Sequence, residues 1–202
     1  MSDPHEGPRV ARVRHELKRR SLTVARVERL PPNMVRVALG GEELHGFTSL
    51  GFDDHIKVFF PAGQAGGAAR DFTPRRHDPA AGELWIDFFL HAGGPAAAWA
   101  SQAAAGQTLQ IGGPKGSAII DPDGIDTHVL IGDESALPAI GRRLEELPRS
   151  SRRPRGRSAA IFATSGDSTG GGSKPPLIGS GARRARTIRL PTMLEPILPH
   201  AI

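Results

Sequence analysis

The chain has 202 residues, is 38% apolar, carries a formal net charge of +5 and contains no cysteine. That length allows one large domain, or one domain and part of a second. No run approaches the roughly 18 apolar residues that cross a membrane, and Met1-Ser2-Asp3-Pro4-His5-Glu6 lacks the apolar core of a secretory signal. Without cysteine there are no disulfides, thiolate metal sites, cysteine-ligated iron–sulfur clusters or cysteine nucleophiles, and a reducing cytoplasm is the expected compartment. The charge is unevenly placed. Residues 1–148 carry 16 basic and 19 acidic side chains, whereas residues 149–202 carry 10 basic side chains against Asp167 and Glu195 alone. The basic end has no aromatic except Phe162 and no RNA-binding signature, so neither a nucleic-acid nor a membrane partner is expected.

In chain order, residues 1–20 are polar and charged and are expected to form a flexible N-terminus. From Ser21, Leu22, Val24, Arg26 and Glu28 alternate with Thr23, Ala25 and Val27, the pattern of a half-buried strand. Pro31-Pro32-Asn33 marks a turn. Met34–Leu39 and His55–Phe60 read as further strands, and the Gly/Ala stretch 62–69 reads as a loop. Phe72-Thr73 starts a short extended piece, Glu83–Leu90 is the clearest strand, Ala96–Ala105 is a short helix entered through Pro95, and Thr108–Ile111 is another strand. Short strands with frequent turns and one small helix predict an antiparallel barrel over residues 21–125.

The pattern changes at Thr127. His128–Ile131 is a continuous apolar strand, Gly132-Asp133-Glu134-Ser135 is a turn, and Pro138–Leu147 has helical spacing at Leu137, Ile140, Leu144 and Leu147. Strand, turn and helix open an α/β domain, expected over 126–148. After Pro148 the composition turns to Arg, Ser, Gly and Pro; Ser168–Ser173 is low-complexity, and only Ser158–Ala163 reads as a buried strand. The expectation for 149–202 is a basic, poorly ordered tail, from a truncated or frameshifted end.

Several segments carry chemistry. In Arg70-Asp71-Phe72-Thr73 a guanidinium can grip a phosphate with two prongs. Phe72, two residues on, can cover a planar ring, and Thr73 can offer a hydroxyl or N–H to a ring nitrogen. From these four residues alone the plainer reading, an exposed arginine and a core phenylalanine, is favoured. His91 to Trp99 leaves a strand through glycines into a helix, where backbone N–H groups can hold a pyrophosphate or simply make a turn. His91 has no second histidine at metal-ligand spacing. Gly113-Pro114-Lys115-Gly116-Ser117 reads as a tight turn. Gly132–Pro138 lies at the carboxyl edge of a nascent sheet, where α/β sheets bind ligands, and equally reads as a helix cap with two acidic residues.

Their order is more telling than any one of them. Asp54-His55-Ile56-Lys57, Arg70-x-Phe72-Thr73-Pro74-Arg75, Ile86-Asp87-Phe88-Phe89-Leu90-His91, Gly94-Pro95-x-x-x-Trp99-Ala100, Gly113-Pro114-x-Gly116-Ser117 and Ile131–Ile140 together closely resemble the siderophore-interacting protein family. These are FAD-dependent ferric-siderophore reductases of the ferredoxin-reductase-like superfamily. The resemblance covers about residues 20–148. It implies an antiparallel FAD-binding β-barrel followed by a nucleotide-binding α/β domain, here truncated. It implies that Arg70 contacts the FAD phosphates, Phe72 lies against the isoalloxazine, and Thr73 bonds near its reactive nitrogen. His91 and Gly94, Ala96 and Trp99 would serve the pyrophosphate and adenosine side, with Asp87 and Ser117 as further flavin-site residues. Asp133, Glu134 and Ser135 would stand between flavin and nicotinamide. The family usually has tyrosine where this chain has Phe72, so the stacking surface is kept and a hydroxyl lost.

The implied reaction passes electrons from NAD(P)H through FAD to an Fe(III)-siderophore, releasing iron as Fe(II). The flavin carries that chemistry and no side chain need act as acid or base. Two alternatives stand beside it: a non-catalytic FAD-binding remnant lacking a complete NAD(P)H domain, and an unstable fragment that binds nothing.

Overall fold

A computed structural model describes residues 9–61, 67–123, 125, 127–148 and 158–163, the last six by backbone only. The expectations for residues 1–8, most of the 62–69 loop and nearly all of 149–202 lie outside the described residues. The chain divides after Asp167, and every described residue belongs to the first unit.

Eleven strands are described: β1 (Val10–Arg14), β2 (Arg19–Leu30), β3 (Met34–Gly40), β4 (Ile56–Phe59), β5 (Ala69–Phe72), β6 (Arg76–Asp78), β7 (Glu83–Phe89), β8 (Thr108–Gly112), β9 (Gly116–Ile120), β10 (Thr127–Gly132) and β11 (Ser158–Ala163). Two α-helices join them, α1 (Pro95–Ser101) and α2 (Leu137–Glu146). Seven strands form one antiparallel sheet in the order β5-β4-β8-β2-β3-β7-β6. No helix among the described residues is long and apolar enough to cross a membrane.

Alternation places the core. Leu22 and Val24 of β2, Val35, Val37 and Leu39 of β3, Ile56 and Val58 of β4, Leu84, Ile86 and Phe88 of β7, and Leu109 and Ile111 of β8 are all buried in one cluster. Every second residue of each strand points to this face. β2 departs from simple alternation. A bulge lies between Val24 and Arg26, so Val24 pairs with Leu39 but Val27 pairs with Val37. One extra residue flips the inward face from even to odd positions. Val27 therefore packs on the core and Arg26 and Glu28 face solvent, which straight alternation from the sequence does not reveal.

Three boundaries also differ from the sequence reading. The N-terminal segment is not structureless: β1 pairs antiparallel with β9 from Val10↔Ile120 to Arg14↔Gly116, and β2 begins at Arg19. Exposed arginines conceal β1 in the sequence, but strand pairing needs only backbone groups. The same pairing turns Gly116-Ser117, read as part of a turn, into the start of β9. Helix α1 stops at Ser101 because Ala104 and Gln107 close a turn and the Gly106 N–H donates to the Val24 carbonyl at 2.9 Å.

β10 and β11 pair in parallel, with α2 between them in sequence. The expected strand at Ser158–Ala163 is therefore formed. Its neighbour β10 turns His128 inward and leaves Val129 and Ile131 exposed.

His77, on β6, meets Phe47 edge-on at 5.0 Å. Burial is the main cause holding its pKa below the ordinary value, with Asp78 opposing and Arg142 and Arg20 adding to it. The unfolded chain thus binds this proton more readily than the folded one, so stability falls as pH drops. The melting temperature is expected to decline as pH falls below about 6.5, the ordinary histidine value. His77→Phe should flatten that part of the profile in differential scanning fluorimetry; an unchanged slope would remove His77 as its cause.

Candidate flavin site

The site begins at the edge of the sheet. In β5, Arg70 lies opposite Val58 and Phe72 opposite Ile56. Residues directly opposite share a face. Val58 and Ile56 are buried, so Arg70 and Phe72 belong to the inward face. Asp71 points the other way and pairs with Lys57 at 2.8 Å. Because β5 ends the sheet, no further strand covers Arg70. It is exposed, and its Nη1 donates to the Ala69 carbonyl at 2.9 Å.

Phe72 is half-buried. Its ring lies 4.6 Å from Phe88 and 6.1 Å from Phe60, and Trp99 of α1 packs 5.5 Å and 5.9 Å from the same two rings. Tilted and edge-on aromatic contacts of this kind add about 0.5–1.5 kcal/mol each beyond area burial. Residues 27 positions apart in sequence, Phe72 and Trp99, thus share one aromatic cluster. Thr73 follows, half-buried, at the end of the strand.

Arg70 lines a cleft of about 460 Å³ whose far wall is Leu90, His91, Gly93, Gly94 and the first turn of α1. That volume suits a small organic ligand, for which about 300–1,000 Å³ is usual. Gly93 and Gly94 have φ of +86° and +96°, which L side chains rarely adopt. A Cβ at Gly93 would meet nothing within 4 Å, so the backbone there is open to a ligand; one at Gly94 would touch the His91 ring at 3.4 Å. Among the described residues no carboxylate lines the cleft. A free arginine, an imidazole and open glycine backbone make a donor set suited to an oxyanion such as a diphosphate, and they stand beside an aromatic cluster suited to a ring system. The residues present fit FAD.

Other expected site residues lie elsewhere. Asp87 is buried and held by Arg36 through Nε at 2.7 Å and Nη2 at 2.9 Å, with Arg75 Nε at 3.8 Å. Hydrogen bonding to Asp87 raises the Arg36 pKa against the opposing effect of burial. Ser117 is also buried. Its hydroxyl donates to Asp54 at 2.6 Å, accepts the Leu50 N–H at 3.1 Å and lies 2.7 Å from His15 Nε2. One donor and two acceptor positions are thereby used up. Ala96 and Trp99 pack on the core rather than line the cleft.

Asp133, Glu134 and Ser135 form the turn from β10 to α2. The Ser135 N–H and hydroxyl donate to Asp133 Oδ1 at 2.9 Å and 2.6 Å, and the hydroxyl bond is the main cause depressing the Asp133 pKa. This is a local Asx turn. The alternative reading as an acidic helix cap is corrected: the N-cap is Ala136, with no side-chain cap bond and no acid in the first turn.

The sequence reading missed the partners of these groups. Arg36 lies within the Met34–Leu39 strand and Arg142 within the Pro138–Leu147 helix, and no motif marks either one. No spacing rule links residues 36, 75, 87 and 142; only the fold brings them together.

Comparison with known proteins decides the family. Residues 23–68 and 63–118 match the siderophore-interacting FAD-binding domain, and residues 125–168 match the siderophore-interacting protein family. A siderophore utilization protein from T. fusca superposes with a TM-score of 0.69 at 33% identity, over 82% of this chain and 76% of that one. The chain belongs to the siderophore-interacting protein family. The NADPH-dependent ferric-chelate reductase of Escherichia coli K12 is 43% identical over 161 residues, 71% of this chain and 63% of the relative. The ferric vibriobactin reductase ViuB of Vibrio cholerae is 37% identical over 150 residues, 64% of this chain and 54% of the relative. The chain thus spans less than two thirds of the length of either reductase.

If the Arg36–Asp87 pair is structural, Asp87→Ala should strand a buried guanidinium and cost about 3 kcal/mol in urea unfolding. A loss below about 1 kcal/mol would assign the pair the small value of a surface bridge.

Proposed function

We propose that the cleft between β5 and the Leu90–Gly94 turn holds FAD, and that the chain works as an NAD(P)H-dependent ferric-siderophore reductase. The observation that carries this reading is the cleft itself: Arg70 faces the Gly93-Gly94 backbone with no acid among the described lining residues, next to the Phe72–Trp99 aromatic cluster. The reductase relatives support the activity. On this reading residues 21–125 form the FAD domain, with the seven-stranded sheet curling into a barrel, and residues from 126 begin the nucleotide domain.

Arg70 grips the FAD phosphates, and His91 and the Gly94 backbone complete the phosphate cradle. Phe72 lies against the ring system and, lacking a hydroxyl, offers it only a stacking surface. Thr73 donates to a ring nitrogen. Ala96 and Trp99 set the position of α1 behind the cofactor. Asp87 and Ser117 act at one remove, by holding Arg36 and Arg75 and the Leu50 turn. The Asp133–Ser135 turn stands on the nicotinamide side. FAD, when bound, supplies the step that turns a two-electron hydride donor into a source of single electrons for Fe(III). Fe(II) matches siderophore oxygen ligands less well, so the iron leaves. The ferric siderophore is the substrate, and the protein's part is to bind, orient and exclude water. The competing reading is an FAD-binding chain that NAD(P)H does not reduce; the described nucleotide part comprises only β10, α2 and β11.

The purified protein, loaded with FAD without oxygen, should lose its visible flavin band on adding NADPH. The band should return on adding a ferric siderophore, with Fe(II) trapped by a ferrous chelator. A flavin that stays oxidised in NADPH would leave the non-catalytic reading in place. Arg70→Ala should weaken FAD binding at least about tenfold, since a charged hydrogen bond contributes about 1.5–3 kcal/mol; titration by flavin fluorescence reads it, and an unchanged Kd would move the phosphate site elsewhere.

A further inference from the structure

Two arginines tie α2 to the strap that follows the flavin motif. Arg142 donates from Nη1 to the Ser49 hydroxyl at 2.8 Å and the Pro74 carbonyl at 3.1 Å, from Nη2 to the Ser49 carbonyl at 2.9 Å, and from Nε to Glu146 at 2.9 Å. Its side chain is 11% exposed. Arg75 reaches the other way, from the strap to α2. Its Nη1 donates to Glu145 at 2.8 Å, Nη2 makes a second bond to the same carboxylate, and Nε lies 3.8 Å from Asp87. The Arg75 N–H also donates to the Trp85 carbonyl at 2.8 Å, fixing the strap to β7.

Gly141 faces this clasp: a Cβ there would meet Arg75 Nε and Nη2 at 3.4 Å, ordinary van der Waals contact, so the guanidinium lies directly on the helix. Ser49 extends the tie, since its hydroxyl also donates to Asp54 at 2.9 Å, the carboxylate that holds Ser117.

Besides Ser49, the residues held are Pro74 and Arg75, the two that directly follow Thr73. The helix that grips them starts at Leu137, directly after the Asp133–Ala136 turn. We infer that Arg142, together with Arg75, is a positioning residue for electron transfer: the clasp sets how far Thr73 on the flavin side stands from the Asp133–Ser135 turn on the nicotinamide side. This rests on the reductase reading above. Residues on a rigid helix hold a donor site at a fixed distance better than a connecting segment can, and misplacement by about 1 Å can cost about a hundredfold in rate.

The test uses the full chain with Arg142→Met, Arg142→Lys and Glu145→Ala. FAD affinity, the rate of flavin reduction at saturating NADPH, and amide exchange at Thr73 and Arg75 are measured for each. Arg142→Met is expected to keep its FAD Kd within about threefold, to slow the limiting reduction rate at least about tenfold, and to speed exchange at both amides, by the misplacement argument. Arg142→Lys should recover part of the rate, because an ammonium can satisfy one carbonyl but not the forked set. A wild-type limiting rate in Arg142→Met, or a rate loss matched by loss of FAD, would overturn the proposal. If Arg142→Met does not fold, Glu145→Ala decides: that side chain is 59% exposed, and its loss removes the carboxylate that Arg75 grips, so slower reduction supports the clasp and a wild-type rate overturns it. If NADPH fails to reduce the wild-type flavin, the donor reading falls, and exchange decides alone: unchanged protection at Thr73 and Arg75 in the variants overturns the clasp.

Discussion

Phe88 stands 1% exposed on β7, with Phe72 at 4.6 Å, Trp99 at 5.5 Å and Phe60 at 6.4 Å. β5 is an edge strand of four residues and α1 has barely two turns. Neither has enough backbone hydrogen bonding to hold its place alone. Both are held through aromatic contacts to this one ring, directly or by way of Phe60. The two walls of the cleft, Arg70 on β5 and the Gly93–Gly94 turn before α1, therefore keep their separation because Phe88 is common to both. Truncating such a ring costs about 3–5 kcal/mol in a well-packed core, and here the loss would fall on the cleft first.

Charge is arranged around that apolar centre by burial. Two largely buried guanidiniums fork onto their partners, Arg36 onto Asp87 and Arg142 onto Ser49 and Pro74, whereas the buried Arg143 donates to the Ile120 carbonyl. Arg70 is the contrast. Among the described residues it has no carboxylate partner, and the cleft it lines has no acid. A cation kept out of an ion pair remains available to an anionic ligand, whereas Asp87, already satisfied by Arg36, has little left to offer one.

The bulge in β2 shows how one backbone irregularity reassigns a whole strand end. Before it, Leu22 and Val24 face the core; after it, Val27 does. Arg26 is thereby freed to lie 5.2 Å from the Trp85 ring and to pair with Glu83 on the outer face. The β1–β9 ribbon has a related lesson. β1 is fully exposed along its length, yet it brings His15 to Ser117 and so closes the network around Asp54.

Much of this was legible in the chain itself. Period-two runs of Val, Ile, Leu and Phe located β3, β4, β7 and β8, and a three-to-four spacing located α2, because those periods are imposed by local backbone geometry. The ordered motifs point to the family, and the fold sets three residues of those motifs, Arg70, His91 and Gly94, around one cleft. The sequence could not show that Ser117 and Asp87 spend their hydrogen bonds on Asp54 and Arg36, that β1 finds β9 a hundred residues away, or that Arg75 and Arg142 clasp α2 to the strap beyond Thr73. Periodicity and motif order are properties of neighbours along the chain. Satisfaction of a buried polar group depends on which distant partner the fold delivers, and that was decided only when the strands had found their register.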